Sequence, residues 1–357
     1  MVRQGYNSIM IKGRATSSGT ARYASRFRPD FYRQAGDLTV STLGLGTYLG
    51  NPDAAFDQAY SSAVMAAVRG GVNFLDSAIN YRNQRSERSI GSALAALFES
   101  GEAQRDEIVV CTKAGFLTQG AVDPKTLRDS DVVGGMHSMA PKFIADQIDR
   151  SRTNLGIDTL DVFYLHNPET QLGHITRDQF DNRILDAFSR LEQLVAEGKI
   201  GCYGAATWEG FRKPKDGLGV LRLAEIATRL AGPDHHFRFI QLPFNLAMPE
   251  AFTQRPEIID NVGVSALHAA DEVGVTVVAS ASLLQAKLSQ GLPTELADKI
   301  PGLDTDAQRA IQFTRSTPGI TVALVGMSNA EHVAENLAIS RVPPMESASY
   351  LRLFQNA

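Results

Sequence analysis

Val72-Asn73-Phe74-Leu75-Asp76 is a short apolar run that stops on a carboxylate, and the chain uses the same device twice more. Ile108-Val109-Val110-Cys111-Thr112-Lys113 stops on an amine, and Leu160-Asp161-Val162-Phe163-Tyr164-Leu165-His166 stops on an imidazole. Apolar runs of this length read as buried parallel strands. Closed into one barrel, three such strands bring Asp76, Lys113 and His166 to the C-terminal rim, where barrels of this kind carry their chemistry. Tyr81, five residues beyond Asp76, adds a phenol to the same edge.

Outward from these runs the pattern continues. Further apolar runs stand at Leu43–Tyr48, Ile200–Ala205, Phe239–Leu242, Val275–Ala279 and Ile320–Val325, which makes eight candidate strands. Helix-patterned stretches alternate with them: Asp53–Arg69, Ser86–Glu99, Pro141–Leu155, Gln179–Glu197, Gly219–Leu230, Asn261–Glu272, Asp304–Ser316 and Ala330–Ile339. Gly70-Gly71 stops the first helix, Ser86 with Ser89 opens the second, and Gly156 and Gly198 follow the third and fourth. The expectation is an α/β fold, a single-domain (β/α)8 TIM barrel over residues 37–357. Residues 1–36 read as an N-terminal extension or cap without an assigned role. The stretches 114–140, 167–178, 243–260 and 281–303 follow strands, so they are expected on the functional face as specificity elements.

Composition narrows the partners. With 357 residues, 43% of them hydrophobic and 21% charged, the chain has ample material for a folded core. A net charge of −4 and a basic cluster limited to Arg212, Lys213 and Lys215 argue against a nucleic-acid partner. Cys111 and Cys202 sit far apart inside apolar runs with no metal-ligand spacing, which points to a reduced, cytoplasmic setting and no metal site. No apolar stretch reaches the ~20 residues that span a bilayer, and the N-terminus has no leader-like apolar segment. No membrane partner is expected, and the sequence carries no statement of oligomeric state.

Taken singly, the rim residues have ordinary explanations. Asp76 reads as a helix cap, Lys113 as a strand-end amine reaching water, Tyr81 as a packed aromatic, and His166 as a core imidazole. Together they have a chemistry. A lysine that follows five residues of apolar strand requires a carboxylate, which Asp76 supplies. Its positive charge would lower the Tyr81 phenol from its ordinary pKa of ~10 and make it a proton donor near neutral pH.

The segments Gly71-Val72-Asn73-Phe74-Leu75-Asp76-Ser77-Ala78-Ile79-Asn80-Tyr81, Val110-Cys111-Thr112-Lys113 and Asp161-Val162-Phe163-Tyr164-Leu165-His166 resemble the three catalytic signatures of the aldo-keto reductase superfamily. The similarity extends from about residue 37 to 342. It implies Tyr81 as general acid, Lys113 and Asp76 as the groups that tune it, and His166 as the group that orients a substrate carbonyl. Hydride would come from a nicotinamide cofactor, NADP(H) foremost, with NAD(H) also accommodated. The substrate implied is a small carbonyl compound or its alcohol, oxygen-rich, with sugars among the candidates.

The resemblance also implies cofactor contacts. Gln241 stands where the family binds the nicotinamide carboxamide, and Ala206-Thr207 replace its usual Ser-Asn pair, leaving Thr207 one hydrogen-bonding group. Asn167 replaces the tryptophan common after the catalytic histidine and makes the pocket wall more polar. Ser280 and Leu283 fall in the pyrophosphate loop. Gly326 and Ser328 begin the segment after the last strand, where Ser328 to Ala330 present amides at a helix N-terminus. Glu335 and Asn336 match the pair that holds adenine, and His332 stands where many relatives place an arginine on the 2′-phosphate. Tyr48, Phe116 and Trp208 are candidates for the substrate side.

The sequence leaves two rival readings. Gly44-Leu45-Gly46-Thr47-Tyr48-Leu49-Gly50 imitates a Rossmann fingerprint, but Asn51-Pro52-Asp53 defers the helix past the glycines, and no tyrosine has a lysine four positions on. The second is a slow or non-catalytic nicotinamide-binding sensor on the same barrel, as in the related β subunits of potassium channels.

Overall fold

The computed structural model describes residues 10–213 and 218–355. Eight strands pair in parallel in chain order and close into a barrel: β1 (Leu43–Gly46), β2 (Phe74–Asp76), β3 (Val109–Ala114), β4 (Leu160–His166), β5 (Ile200–Ala206), β6 (Phe237–Pro243), β7 (Thr276–Ser280) and β8 (Val322–Gly326). The ring closes where Val325 of β8 stands against Leu45 of β1. Eight helices follow the strands in turn: α1 (Ala54–Arg69), α2 (Arg85–Glu99), α3 (Pro141–Leu155), α4 (Arg177–Ala196), α5 (Val220–Ala231), α6 (Ala266–Glu272), α7 (Asp306–Ser316) and α8 (Ala330–Leu337). This is the expected (β/α)8 architecture.

Strand alternation decides what reaches the rim. Phe74, Val109, Cys111, Val162, Tyr164, Phe239, Val278, Val322 and Leu324 point inward and form one buried cluster that fills the barrel. Because successive strand residues alternate sides, the next inward position lies two residues further along each strand. Those positions are Asp76, Lys113, His166, Gln241, Ser280 and Gly326. The opposite side of each strand packs on the helices in a second, larger apolar cluster, so both faces of the sheet are dry.

Local chemistry sets the helix ends. Asp53 caps α1 by accepting from Phe56 N, and Thr176 with Gln179 forms a capping box that starts α4. Gly156 ends α3 in the left-handed conformation at φ 68°. Two expectations need correction. Ser86 does not open α2: Gln84, at φ 71°, precedes that helix, and the Ser86 hydroxyl donates instead to Thr47 O. Nor does the sixth helix begin at Asn261. Asp260 and Asn261 both take positive φ, making a tight turn between the antiparallel strands Glu257–Ile259 and Val262–Val264, and Ser265 then caps α6.

The N-terminal residues do have a structural place. Helix Ser17–Ala24 is followed by a hairpin of Tyr32–Ala35 with Leu38–Ser41, whose Ala35 and Val40 join the barrel-filling cluster. Residue 36 is the turn of this hairpin, so the boundary drawn there falls inside one element. Among the described residues, no helix is long and apolar enough to cross a membrane, and no cluster of His, Cys, Asp and Glu could hold a metal.

Candidate active site

Lys113 is buried on β3, and its ammonium lies 2.5 Å from Asp76 Oδ2 and 2.7 Å from Ser77 O. Gln241 Nε2 donates to the other Asp76 oxygen at 2.9 Å, so both carboxylate oxygens are held. Burial pushes the Asp76 carboxyl up, while Lys113 and Gln241 pull it back. Burial works against the Lys113 charge, but Asp76 and Tyr81 outweigh it and keep the ammonium above its usual value.

Tyr81 lies over this pair, with Lys113 Nζ 5.2 Å from its ring centroid. Its ring meets His166 edge-on at 5.7 Å and Tyr48 at 4.9 Å. The expectation that Lys113 brings the phenol below its ordinary pKa is corrected here. Lys113 does pull it down, but burial is the larger effect, so the net shift is upward. The hydroxyl is therefore held protonated, which is the form a proton donor requires. His166 is pushed well below the ordinary imidazole value by burial, then by the charge of Lys113, and is neutral at pH 7.

A left-handed turn follows Tyr81: Arg82, Asn83 and Gln84 have φ of 49°, 55° and 71°. Such a run of non-glycine residues persists only where surroundings hold it. Arg82 supplies the hold, donating to Asn51 O at 3.0 Å, pairing with Asp57 and lying over the Tyr60 ring. Nothing in the apolar or helical periodicity singled out Arg82.

Asp76, Tyr81, His166 and Gln241 open into one cleft of about 800 Å³. Of the expected substrate-side residues, Tyr48, Phe116 and Trp208 all line it, Tyr48 and Trp208 as exposed aromatics. Of the expected cofactor residues, Asn167, Thr207, Gln241, Ser280, Leu283, Gly326, His332, Glu335 and Asn336 line it as well. Ser328 does not: Asn329 follows it as the cap of α8 and turns its own side chain onto Glu331 N. Of the basic cluster, Arg212 pairs with Glu250 and Lys213 with Glu209, while Lys215 lies outside the described residues.

The polar atoms of the cleft suit a dinucleotide. Thr207 Oγ1, Ser282 Oγ, Asn336 Oδ1 and His166 Nδ1 are buried without a hydrogen-bond partner, and all four residues line the cleft. Buried polar atoms left unpaired are costly, and their spread from β4 to α8 suits a long polar ligand with amide and adenine ends. Among the described residues, no lysine or arginine lines the cleft. Asn80 and Ser282 were missed by the sequence reading. Glu169 was missed too: its Oε1 accepts from Trp208 N at 2.7 Å and Glu209 N at 3.1 Å, which holds Trp208 at the rim.

A parallel barrel with its ionisable groups gathered at one rim defines a class shared by many enzymes, so the comparisons decide among them. The Aldo/keto reductase family model matches residues 42–213, from β1 through the end of β5. Its sequence is 30% identical over 177 residues to the NADH-specific methylglyoxal reductase of Escherichia coli (strain K12), covering 48% of this chain and 49% of that protein. It is 31% identical over 180 residues to the D-threo-aldose 1-dehydrogenase of a Pseudomonas species, covering 48% and 51%. The chain thus spans about half the length of these two relatives. The fold is similar along nearly its whole length to an aldo/keto reductase from Klebsiella pneumoniae solved with NADP and acetate, with a TM-score of 0.63, 22% identity, and coverage of 91% of this chain and 94% of that one.

Proposed function

We propose that the protein is an oxidoreductase that interconverts a small aldehyde or ketone and its alcohol with a nicotinamide dinucleotide, NADP(H) or NAD(H). The observation that carries this reading is the placement of Tyr81 and His166 edge-to-face at 5.7 Å in one cleft, directly above the buried Lys113–Asp76 pair. Two similar proteins support it in kind: one is named as an NADH-specific reductase, and a protein of similar fold was solved with NADP.

Thr207 and Gln241 would hold the carboxamide end and Glu335 and Asn336 the adenine end, with Ser280, Leu283 and Gly326 between them. A reduced nicotinamide bound there supplies hydride. His166, neutral, can donate one hydrogen bond to the substrate carbonyl oxygen. Tyr81, held protonated by its burial, gives its proton to that oxygen as negative charge builds on it. Lys113 stabilises the phenolate left behind, and Asp76 fixes the lysine. In the direction of oxidation the same phenolate takes the proton back. The neutral polar and aromatic side chains that line the cleft among the described residues suit a neutral carbonyl. Free Cys111 and Cys202 suit a reducing compartment such as the cytoplasm.

The test is steady-state oxidation of NADPH and NADH with a panel of aldehydes, ketones and sugars, and the reverse reaction with alcohols. Tyr81→Phe should lower kcat by about 10²-fold or more while leaving dinucleotide affinity unchanged. Turnover of Tyr81→Phe within a few-fold of the parent would exclude Tyr81 as the acid. Dinucleotide binding with no turnover of any substrate would favour the sensor reading.

A further inference from the structure

His137 is fully buried, touches neither the cleft nor any carboxylate, and belongs to no part of the chemistry above. It sits in the loop after β3, in a short strand His137–Ser138 paired with Val132–Val133. Its two ring nitrogens are both engaged. Nε2 lies 2.7 Å from the backbone oxygen of His166, and Nδ1 lies 3.2 Å from Gln171 Nε2.

The proton order of this contact follows from its outer end. Arg183 can only donate, and its Nη1 does so to Gln171 Oε1 at 2.8 Å. The amide nitrogen of Gln171 therefore faces His137 and donates to Nδ1. With Nδ1 accepting, the single proton of a neutral imidazole sits on Nε2 and is donated to His166 O. Burial and the charge of Arg183 both hold His137 neutral, which agrees with this order. Arg183 is itself anchored by a second bond to Ser130 O at 2.7 Å.

The peptide at the receiving end is the one that aims the catalytic imidazole. The His166 carbonyl accepts from His137, while the following amide, Asn167 N, donates to Ala206 O at 2.6 Å. The plane is thus gripped on both sides, and Asn167 is held at φ 49°. Phe116 is fixed by the same imidazole. Its ring meets His137 and His166 edge-on, each at 5.2 Å and 88°, and it lines the cleft.

Gly115 supplies an independent sign that this bond needs its space. A Cβ on Gly115 would lie 2.4 Å from His166 O and 2.6 Å from His137 Nε2, between the two atoms that bond. Any side chain there would part them.

We propose that His137 is a positioning residue for the carbonyl pocket: through the ordered chain Arg183, Gln171, His137 it fixes the His166–Asn167 peptide and clamps Phe116. It touches no reacting atom. The proposal rests on the carbonyl-reductase reading for its kinetic consequence but not for its structural one. Small misplacements of a reacting group cost rate steeply, by about 10²-fold for 1 Å.

The test pairs His137→Leu, which keeps volume but has no donor, with His137→Gln, whose amide can donate to His166 O. The full chain is followed by NMR of the His166 imidazole, by dinucleotide titration, and by kinetics. His137→Leu should shift the His166 resonance, lower kcat by about tenfold or more, and leave the dinucleotide Kd within about twofold. His137→Gln should recover most of both changes, a rescue that packing alone would not give. If His137→Leu does not fold, Gly115→Ala, which forces His137 Nε2 and His166 O apart while keeping the histidine, is read in the same way. An unshifted His166 resonance together with parental kcat overturns the proposal. Should the parent turn over no carbonyl or alcohol, the functional reading falls, while a shifted His166 resonance in His137→Leu still sustains the positioning role and an unshifted one overturns it.

Discussion

Asp76→Asn isolates the charge beneath Tyr81. The Lys113 side chain is 1% exposed, and Asp76 is its only carboxylate partner among the described residues. Without that charge the ammonium keeps Ser77 O and a neutral amide oxygen. Leaving it charged and unpaired costs about 3–5 kcal/mol. Releasing the proton at pH 7 costs no more than about 4–5 kcal/mol, given an ordinary lysine pKa of ~10.4. The two bounds agree, and the amide oxygen retains one hydrogen bond, so the expected loss of folding stability is about 2–4 kcal/mol.

The kinetic consequence depends on which route the lysine takes. Buried amines without partners shift their pKa and neutralise rather than remain charged. A neutral Lys113 no longer pulls the Tyr81 phenol down, and because that pull outweighs the push lost with the Asp76 charge, the pKa climbs further. The alkaline limb of the reduction profile then moves to higher pH, and kcat at neutral pH falls by about 10- to 100-fold. If Lys113 stayed charged, the limb would move the other way, because Asp76 itself raises Tyr81. Urea denaturation and a kcat profile across pH 6–10 measure both effects. A variant with parental stability and a superimposable pH profile would refute the role assigned to the pair.

His332→Arg places a planar cation at the adenosine end of a cleft that has none, so the ratio of kcat/KM for NADPH over NADH should rise about tenfold or more; an unchanged ratio would remove the 2′-phosphate from that end. Acid stability should show His137. Its folded pKa is pushed down to about 4 from an ordinary 6.5, so the unfolded chain binds the extra proton first as pH falls. Stability is full above pH 6.5 and is lost by about 3 kcal/mol between 6.5 and 4 from this group alone, and His137→Gln should flatten that part of the urea-denaturation profile by the same amount. Glu169→Gln keeps one acceptor for Trp208 N and Glu209 N but removes a charge that burial disfavours. It should leave stability within about 1 kcal/mol, whereas Glu169→Ala should free Trp208 and raise KM for large substrates with little change for small ones.

The barrel and its rim were legible because both depend on a single short period. Each strand has to alternate, so once Phe74, Cys111, Tyr164 and Phe239 fill the interior, Asp76, Lys113, His166 and Gln241 have nowhere to go but the rim above them. That inference needs no knowledge of loops. Where the reading failed, a local signal was outweighed by a contact made far along the chain. Ser86 has the composition of a helix cap, yet its hydroxyl is drawn to Thr47, 39 residues away. The stretch Asn261–Glu272 reads as one helix, yet two consecutive positive-φ residues, Asp260 and Asn261, make its first part a hairpin strand. The direction of the Tyr81 shift was misjudged for a related reason. Lys113 is adjacent to the phenol and its pull could be foreseen, but the burial that outweighs it is produced by Tyr48, His166 and the rest of the cleft together. Three of the groups found only in the structure, Arg82, His137 and Glu169, share this property. None touches the reaction, each bonds to a backbone atom far along the chain, and a backbone partner leaves no mark on the sequence of the side chain that bonds to it. Residues that do chemistry were therefore recoverable from pattern, whereas residues that hold the chemistry in place are defined by the folded loops and are best sought by asking which buried side chains bond to the backbone beside a catalytic one.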